Sequence, residues 1–144
     1  MPQGNNVSVF RMVTEEAFNK GNLSTLDGLV TPDFKEPQNG INPPTLEGLK
    51  RSNNSLRTAL PDLNRTIEEI LVGDDMTWAR IKAHGTHQGS MMGLPPTGTA
   101  ISVDVIDVCR FADEKIAEHW GVADRLGIMQ QIGAIPFSQS LHKR

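Results

Sequence analysis

A single cysteine, Cys109, in a chain of 144 residues rules out an intrachain disulfide. It falls within the apolar run Val103 to Phe111, where a buried, inert thiol is expected rather than a nucleophile. No apolar run reaches the ~18 residues that a membrane-spanning helix needs. A basic excess is missing as well. The net charge is -3, and the one basic run, His142-Lys143-Arg144, reads as a solvated tail. Nucleic acid is therefore not the expected partner. The glycine signatures of dinucleotide and phosphate-loop sites are missing, and so is any sign of a serine triad. His84 and His87 stand three residues apart, which on a strand points them to opposite faces, and His119 is distant in sequence. No metal site is expected from such a set. Without a charged N-terminal segment leading into an apolar stretch, no secretory signal is expected, and cytoplasmic residence is the default.

What remains is an ordinary globular composition, 38% hydrophobic and 22% charged, in a length suited to one domain over residues 1–144. Residues 7–20 place Phe10, Met12, Val13, Ala17 and Phe18 on one helical stripe, closed by Gly21. Ser24 is placed to cap a second short helix ending near Val30. The proline-rich stretch 35–44 reads as a loop near a pocket mouth. A third helix is expected from Thr45 to Leu60, stopped by Pro61, with Gly48 as an uncomfortable interior residue. Extended patterns follow at about 63–72, 77–89, 100–111 and 115–123, with hairpin turns at Gly73-Asp74-Asp75 and Ala112-Asp113-Glu114. Asp124 is placed to cap a last helix, 125–132. Helices first and then a meander of long strands indicate an α+β fold with helices on one face of an antiparallel sheet. Between the second and third long strands, Gly93-Leu94-Pro95-Pro96-Thr97-Gly98 forms a rigid, irregular loop.

The segments Gly85-Thr86-His87-Gln88-Gly89 and Met91-Met92-Gly93-Leu94-Pro95-Pro96-Thr97-Gly98 resemble the SnoaL-like polyketide cyclase family. So do Lys115-Ile116-Ala117-Glu118-His119-Trp120 and Asp124 to Gly133, in the family's order and spacing. The resemblance implies the cone-shaped α+β barrel of the nuclear transport factor 2-like superfamily, with three helices packed on a strongly curved antiparallel sheet. It implies intramolecular aldol cyclisation of an apolar, carbonyl-bearing ester, without metal or cofactor, by a carboxylate on the last long strand. It also implies a homodimer formed through the outer face of the sheet, where Ile106 and Val108 are expected to be exposed. Relatives of this fold include isomerases, hydrolases and non-catalytic binders, so the fold alone does not fix the reaction. The chain departs from the family at two positions. Gly121 stands where the catalytic aspartate is expected, and Asp107 stands where a pocket histidine is expected.

His119 shares a strand face with Gly121, so a family carboxylate facing the pocket implies that His119 faces it too. An imidazole that titrates near neutrality suits proton transfer at an enolisable carbon. The plainer alternative is a partly buried histidine bonded to a neighbouring strand. Asp107 interrupts an apolar set and needs a partner. That partner is either His119, giving a His–Asp dyad with His119 as base and Asp107 as its orienter, or a cation such as Arg80 or Lys82. Asp124 is the alternative carboxylate, and equally a helix cap. Phe10, Trp78, Trp120, Met91 and Met92 are candidate apolar lining, although each taken singly reads first as plain core; the Met91-Met92 pair beside the rigid loop reads as a gate. Ser55, beside Asn53 and Asn54 on the third helix, is a candidate hydrogen-bonding group. His87 either lines the mouth or ties down the Pro-Pro loop, the second being preferred. Two functions follow: a cofactor-independent enzyme, or a binding module in which Gly121 records a lost carboxylate.

Overall fold

The computed structural model describes residues 2–38 and 40–136, with side chains from Asn5 onward; the basic run 142–144 lies outside the described residues. Helix α1 (Pro2–Met12) continues without a break into a π-helical stretch, Val13–Asn19. Phe10, Val13, Ala17 and Phe18 are buried as their spacing requires, whereas Met12 is 42% exposed and leaves the expected stripe. The next helix is a 3₁₀ segment, Leu23–Gly28, without a side-chain cap. It stops before Val30 because Val30 opens a strand, β1 (Val30–Lys35). Helix α2 (Leu46–Ala59) starts at Thr45, whose hydroxyl accepts from the Gly48 amide. Gly48 has a packing reason, since a Cβ there would sit 1.8 Å from the Pro43 carbonyl oxygen. The loop before α2 thereby lies directly on the helix.

The long strands are β2 (Asn64–Gly73), β3 (Met76–Thr86), β4 (Ala100–Ala112) and β5 (Lys115–Ala123), followed by α3 (Arg125–Gln131). They form a curved sheet in the order β1-β5-β4-β3-β2. All neighbours are antiparallel except β1, which runs parallel to β5 and pairs Val30 with Ile116 and Lys35 with Glu118. This edge strand is absent from the sequence reading, in which Thr31-Pro32-Asp33-Phe34 breaks the second helix and leads into an extended segment.

On β4 the alternation is regular. Ile101, Val103, Val105, Asp107, Cys109 and Phe111 point to the inner face and are buried. Helical Phe10, Phe18, Leu26 and Leu49 meet this face in one core cluster. β5 breaks the alternation. The β4–β5 register shifts between Arg110 and Phe111, with Glu118 and Ile116 as their respective partners, so Ala117 is an extra residue. A bulge of this kind lets Ile116 and His119, three apart, both turn inward.

The outer face carries a cross-strand row, Leu71, Trp78, Val108 and Trp120. Val108, expected to be exposed, is buried between the two tryptophans, while Ile106, Trp78, Val122 and Leu71 are exposed. Among the described residues, no helix is long and apolar enough to cross a membrane.

Candidate functional site: a buried histidine between two carboxylates

The site begins with the pairing of β4 and β5, which sets Asp107 opposite Gly121 and Cys109 opposite His119. All four face inward. The imidazole of His119 is held at both ends. Its Nδ1 lies 2.9 Å from each carboxylate oxygen of Glu36. Its Nε2 lies 3.3 Å from Asp107 Oδ1, an ion-pairing distance but off the line of a good hydrogen bond. The ring of Phe18 meets the imidazole edge-on, with centroids 6.4 Å apart. Glu36, Asp107 and His119 are all buried.

Burial of a cationic imidazole works against its charge, yet the flanking carboxylates of Asp107 and Glu36 outweigh that and hold the His119 pKa up to about 10. Asp107 is buried too, but the neighbouring His119 charge, with a smaller contribution from Arg65, keeps its carboxyl below the ordinary aspartate value. Glu36 is shifted the other way, because its burial outweighs the hydrogen bond and charge of His119. Near neutrality the cavity wall therefore presents an imidazolium beside an aspartate carboxylate. Cys109, as expected, is buried, and burial pushes its thiol pKa well up, with Asp107 and Glu36 adding to the effect.

Asp107 and His119 open onto a cavity of about 370 Å³ between the curved sheet and α2. Ile41, Leu49, Leu56, Leu60, Val103 and Ile128 give it apolar walls. Its polar groups include Gln38, Asn53, Ser55, Arg65 and Arg125, and Met91 and Met92 reach it from the loop after β3. Gly121 lines it as well. A Cβ at Gly121 would lie 2.8 Å from both Asp107 Oδ1 and Gln38 Oε1. The Gly121 amide donates to Gln38 Oε1 at 2.7 Å, which anchors Gln38 at the cavity wall. The carboxylate of Asp107 thus occupies the space that a side chain at 121 would need.

The structure brings His119, Asp107, Ser55, Met91 and Met92 to one cavity and leaves the other candidates outside it. Asp124 is a helix cap, its carboxylate accepting from the Gly127 amide at the start of α3. Phe10 is spent in the core. Trp78 and Trp120 are on the outer face, since each pairs with outward-facing Val108. His87 is fully buried beneath the Pro-Pro loop, its Nδ1 3.0 Å from Thr97 Oγ1. Arg80 and Lys82 do not pair with Asp107. They face outward and bind Glu69 and Asp104.

Glu36, which holds the imidazole from behind the cavity wall, and the lining residues Gln38 and Arg65 escape the sequence reading. Glu36 shares a face with Phe34, an alternation that continues one step past β1 into what reads as loop. Gln38 follows two residues later. Arg65 sits between Leu63 and Ile67 in an alternating inward set, the same kind of interruption that marks Asp107.

The charge state has a consequence for stability. The pKa of His119 is higher in the folded chain than the ordinary 6.5, so the stabilisation from its own protonation is complete below that pH and is lost as pH rises toward about 10. Denaturant unfolding across that range should show wild-type stability falling more steeply than that of His119→Gln. Equal slopes would contradict the assignment.

Residues 8–132 match the profile of the SnoaL-like polyketide cyclase family. The aklanonic acid methyl ester cyclase AcmA of Streptomyces galilaeus is 30% identical over 146 residues, covering 95% of both chains. The nogalonic acid methyl ester cyclase of Streptomyces nogalater is 27% identical over 81% of this chain and 90% of its own. Among solved structures, TsrD of Streptomyces laurentii superposes with a TM-score of 0.83 at 26% identity, over 92% of this chain and 98% of its own. Wild-type IdmH of Streptomyces antibioticus does so with 0.78 at 30% identity, over 89% and 98%. This chain is a member of the SnoaL-like polyketide cyclase family.

Proposed function

We propose that this protein, a single domain over residues 1–144, is a cyclase that closes a ring in an apolar, carbonyl-bearing small molecule by intramolecular aldol chemistry. The observation that carries this reading is an imidazole, His119, set between Glu36 and Asp107, with His119 and Asp107 on the wall of a cavity bounded largely by aliphatic side chains. The cavity's volume, about 370 Å³, is within the range of small-molecule sites.

The charge state exchanges the roles assigned from sequence. A histidine that already carries its proton is a poor base and a good acid, while a carboxylate held ionised is the better base. Asp107 takes a proton from the carbon next to one carbonyl. The resulting enolate carbon attacks a second carbonyl carbon of the same molecule. The oxygen of that carbonyl receives the Nε2 proton of His119, and the proton on Asp107 then returns to His119 across the 3.3 Å gap. One C–C bond forms, and no proton is gained or lost overall. Glu36, at Nδ1, holds the ring and favours the imidazolium between turnovers. The absent side chain at Gly121 fits this scheme, because the carboxylate has passed to its cross-strand partner.

A homodimer through the outer face of the sheet belongs to the same proposal. The exposed Leu71, Trp78, Ile106 and Val122 support it. Light scattering at micromolar concentration should give twice the chain mass, and a monomer mass would count against the dimer.

General acid–base catalysis contributes ~10²–10⁴-fold. Asp107→Asn and His119→Ala should each lower kcat by roughly that factor on a substrate found by screening aromatic keto acids and their esters, with binding largely kept. Asp124→Asn should leave kcat nearly unchanged. Equal turnover in all variants would remove the mechanism. Tight binding of such compounds with no turnover in wild type would make the protein a binding module.

A further inference from the structure

Two cationic side chains of the cavity lining, Arg65 and Arg125, take no part in the acid–base scheme, and the first is held in place by its neighbours. Its main chain is pinned by Asn19, which accepts from the Arg65 amide at 2.8 Å and donates to its carbonyl at 2.9 Å. Its guanidinium lies over the face of Phe18, 4.7 Å from the ring centroid, a cation–π platform that fixes the plane of the fork. Among the described residues, the side chain forms no ion pair or hydrogen bond, and its Nε is shielded and unpartnered. Asp107 is near enough to influence it but too far to pair with it. Leaving a guanidinium in such a place is unfavourable unless something supplies acceptors.

The nearby carboxylates are already engaged: Asp107 lies 3.3 Å from His119 Nε2, and Glu36 binds the other end of the ring. Arginine differs from lysine in offering a planar fork that matches a carboxylate with two parallel hydrogen bonds.

We propose that Arg65 is a substrate-binding residue and that the substrate carries a free carboxylate, which docks on the guanidinium while its carbonyl end meets Asp107 and His119. This rests on the cavity being the substrate site. It narrows the substrate class to keto acids, whereas the relatives named above are cyclases of methyl esters.

The test uses a matched pair of probes, 2-naphthoate and its methyl ester, titrated into the wild-type protein near neutral pH by calorimetry. The free acid should bind about 10–100-fold tighter than the ester, the range expected of hydrogen bonds to a charged group. In Arg65→Gln the preference should vanish while affinity for the ester is kept. Arg65→Lys keeps the charge without the fork and should retain part of the preference, which provides a second variant if Arg65→Gln does not fold. Equal binding of the two probes to wild type, or a preference that survives in Arg65→Gln, overturns the carboxylate assignment and leaves the cyclase reading standing. Binding of neither probe overturns this assignment and the reading of the cavity together.

Discussion

Two buried carboxylates closing on one imidazole ring hold this site together. An isolated imidazolium in the core would be costly, and so would either carboxylate alone. Each is tolerable only because of the others. Glu36 comes from the segment after β1, Asp107 from β4 and His119 from β5, so the arrangement ties the parallel edge strand to the antiparallel body of the sheet. Removing any one partner leaves the rest uncompensated. The bulge at Ala117 is part of the same constraint, because without the extra residue His119 and Ile116 could not both face inward.

Gly121 departs from the carboxylate that the family resemblance implies at this position. The residue looks like a loss when read along the strand. Read across the ladder it is a requirement, since Asp107 Oδ1 and Gln38 Oε1 both approach to 2.8 Å of where a Cβ would be. The same glycine supplies the amide that anchors Gln38. One position therefore admits the carboxylate from the opposite strand and fixes a polar side chain on the cavity wall.

Much of the fold was legible because it follows from periodicity. The long strands, the start of α2 at Thr45 and the cap at Asp124 carry local signals, and so does the Phe10–Phe18 stripe. The site was legible where a polar residue interrupts an apolar face within a clear strand, as Asp107 does. It was not legible where the signal lies beyond an element's apparent end. Glu36 follows a short edge strand that becomes recognisable only through its parallel pairing with β5. Trp78 and Trp120 were misplaced for a different reason. Large aromatics suggest pocket lining by composition, but the register puts both on the outer face beside Val108. The role of His119 also depended on something sequence does not state. Its charge is set by how closely Glu36 and Asp107 approach, which is a tertiary property.

The protonation state of His119 is the point on which the account turns, and side-chain nitrogen NMR reads it directly. With ¹⁵N-labelled histidine, the two ring nitrogens of His119 should show the nearly equal shifts of an imidazolium at pH 8 and titrate only near about 10. The widely separated shifts of a neutral ring at pH 8, with a midpoint near the ordinary 6.5, would contradict it.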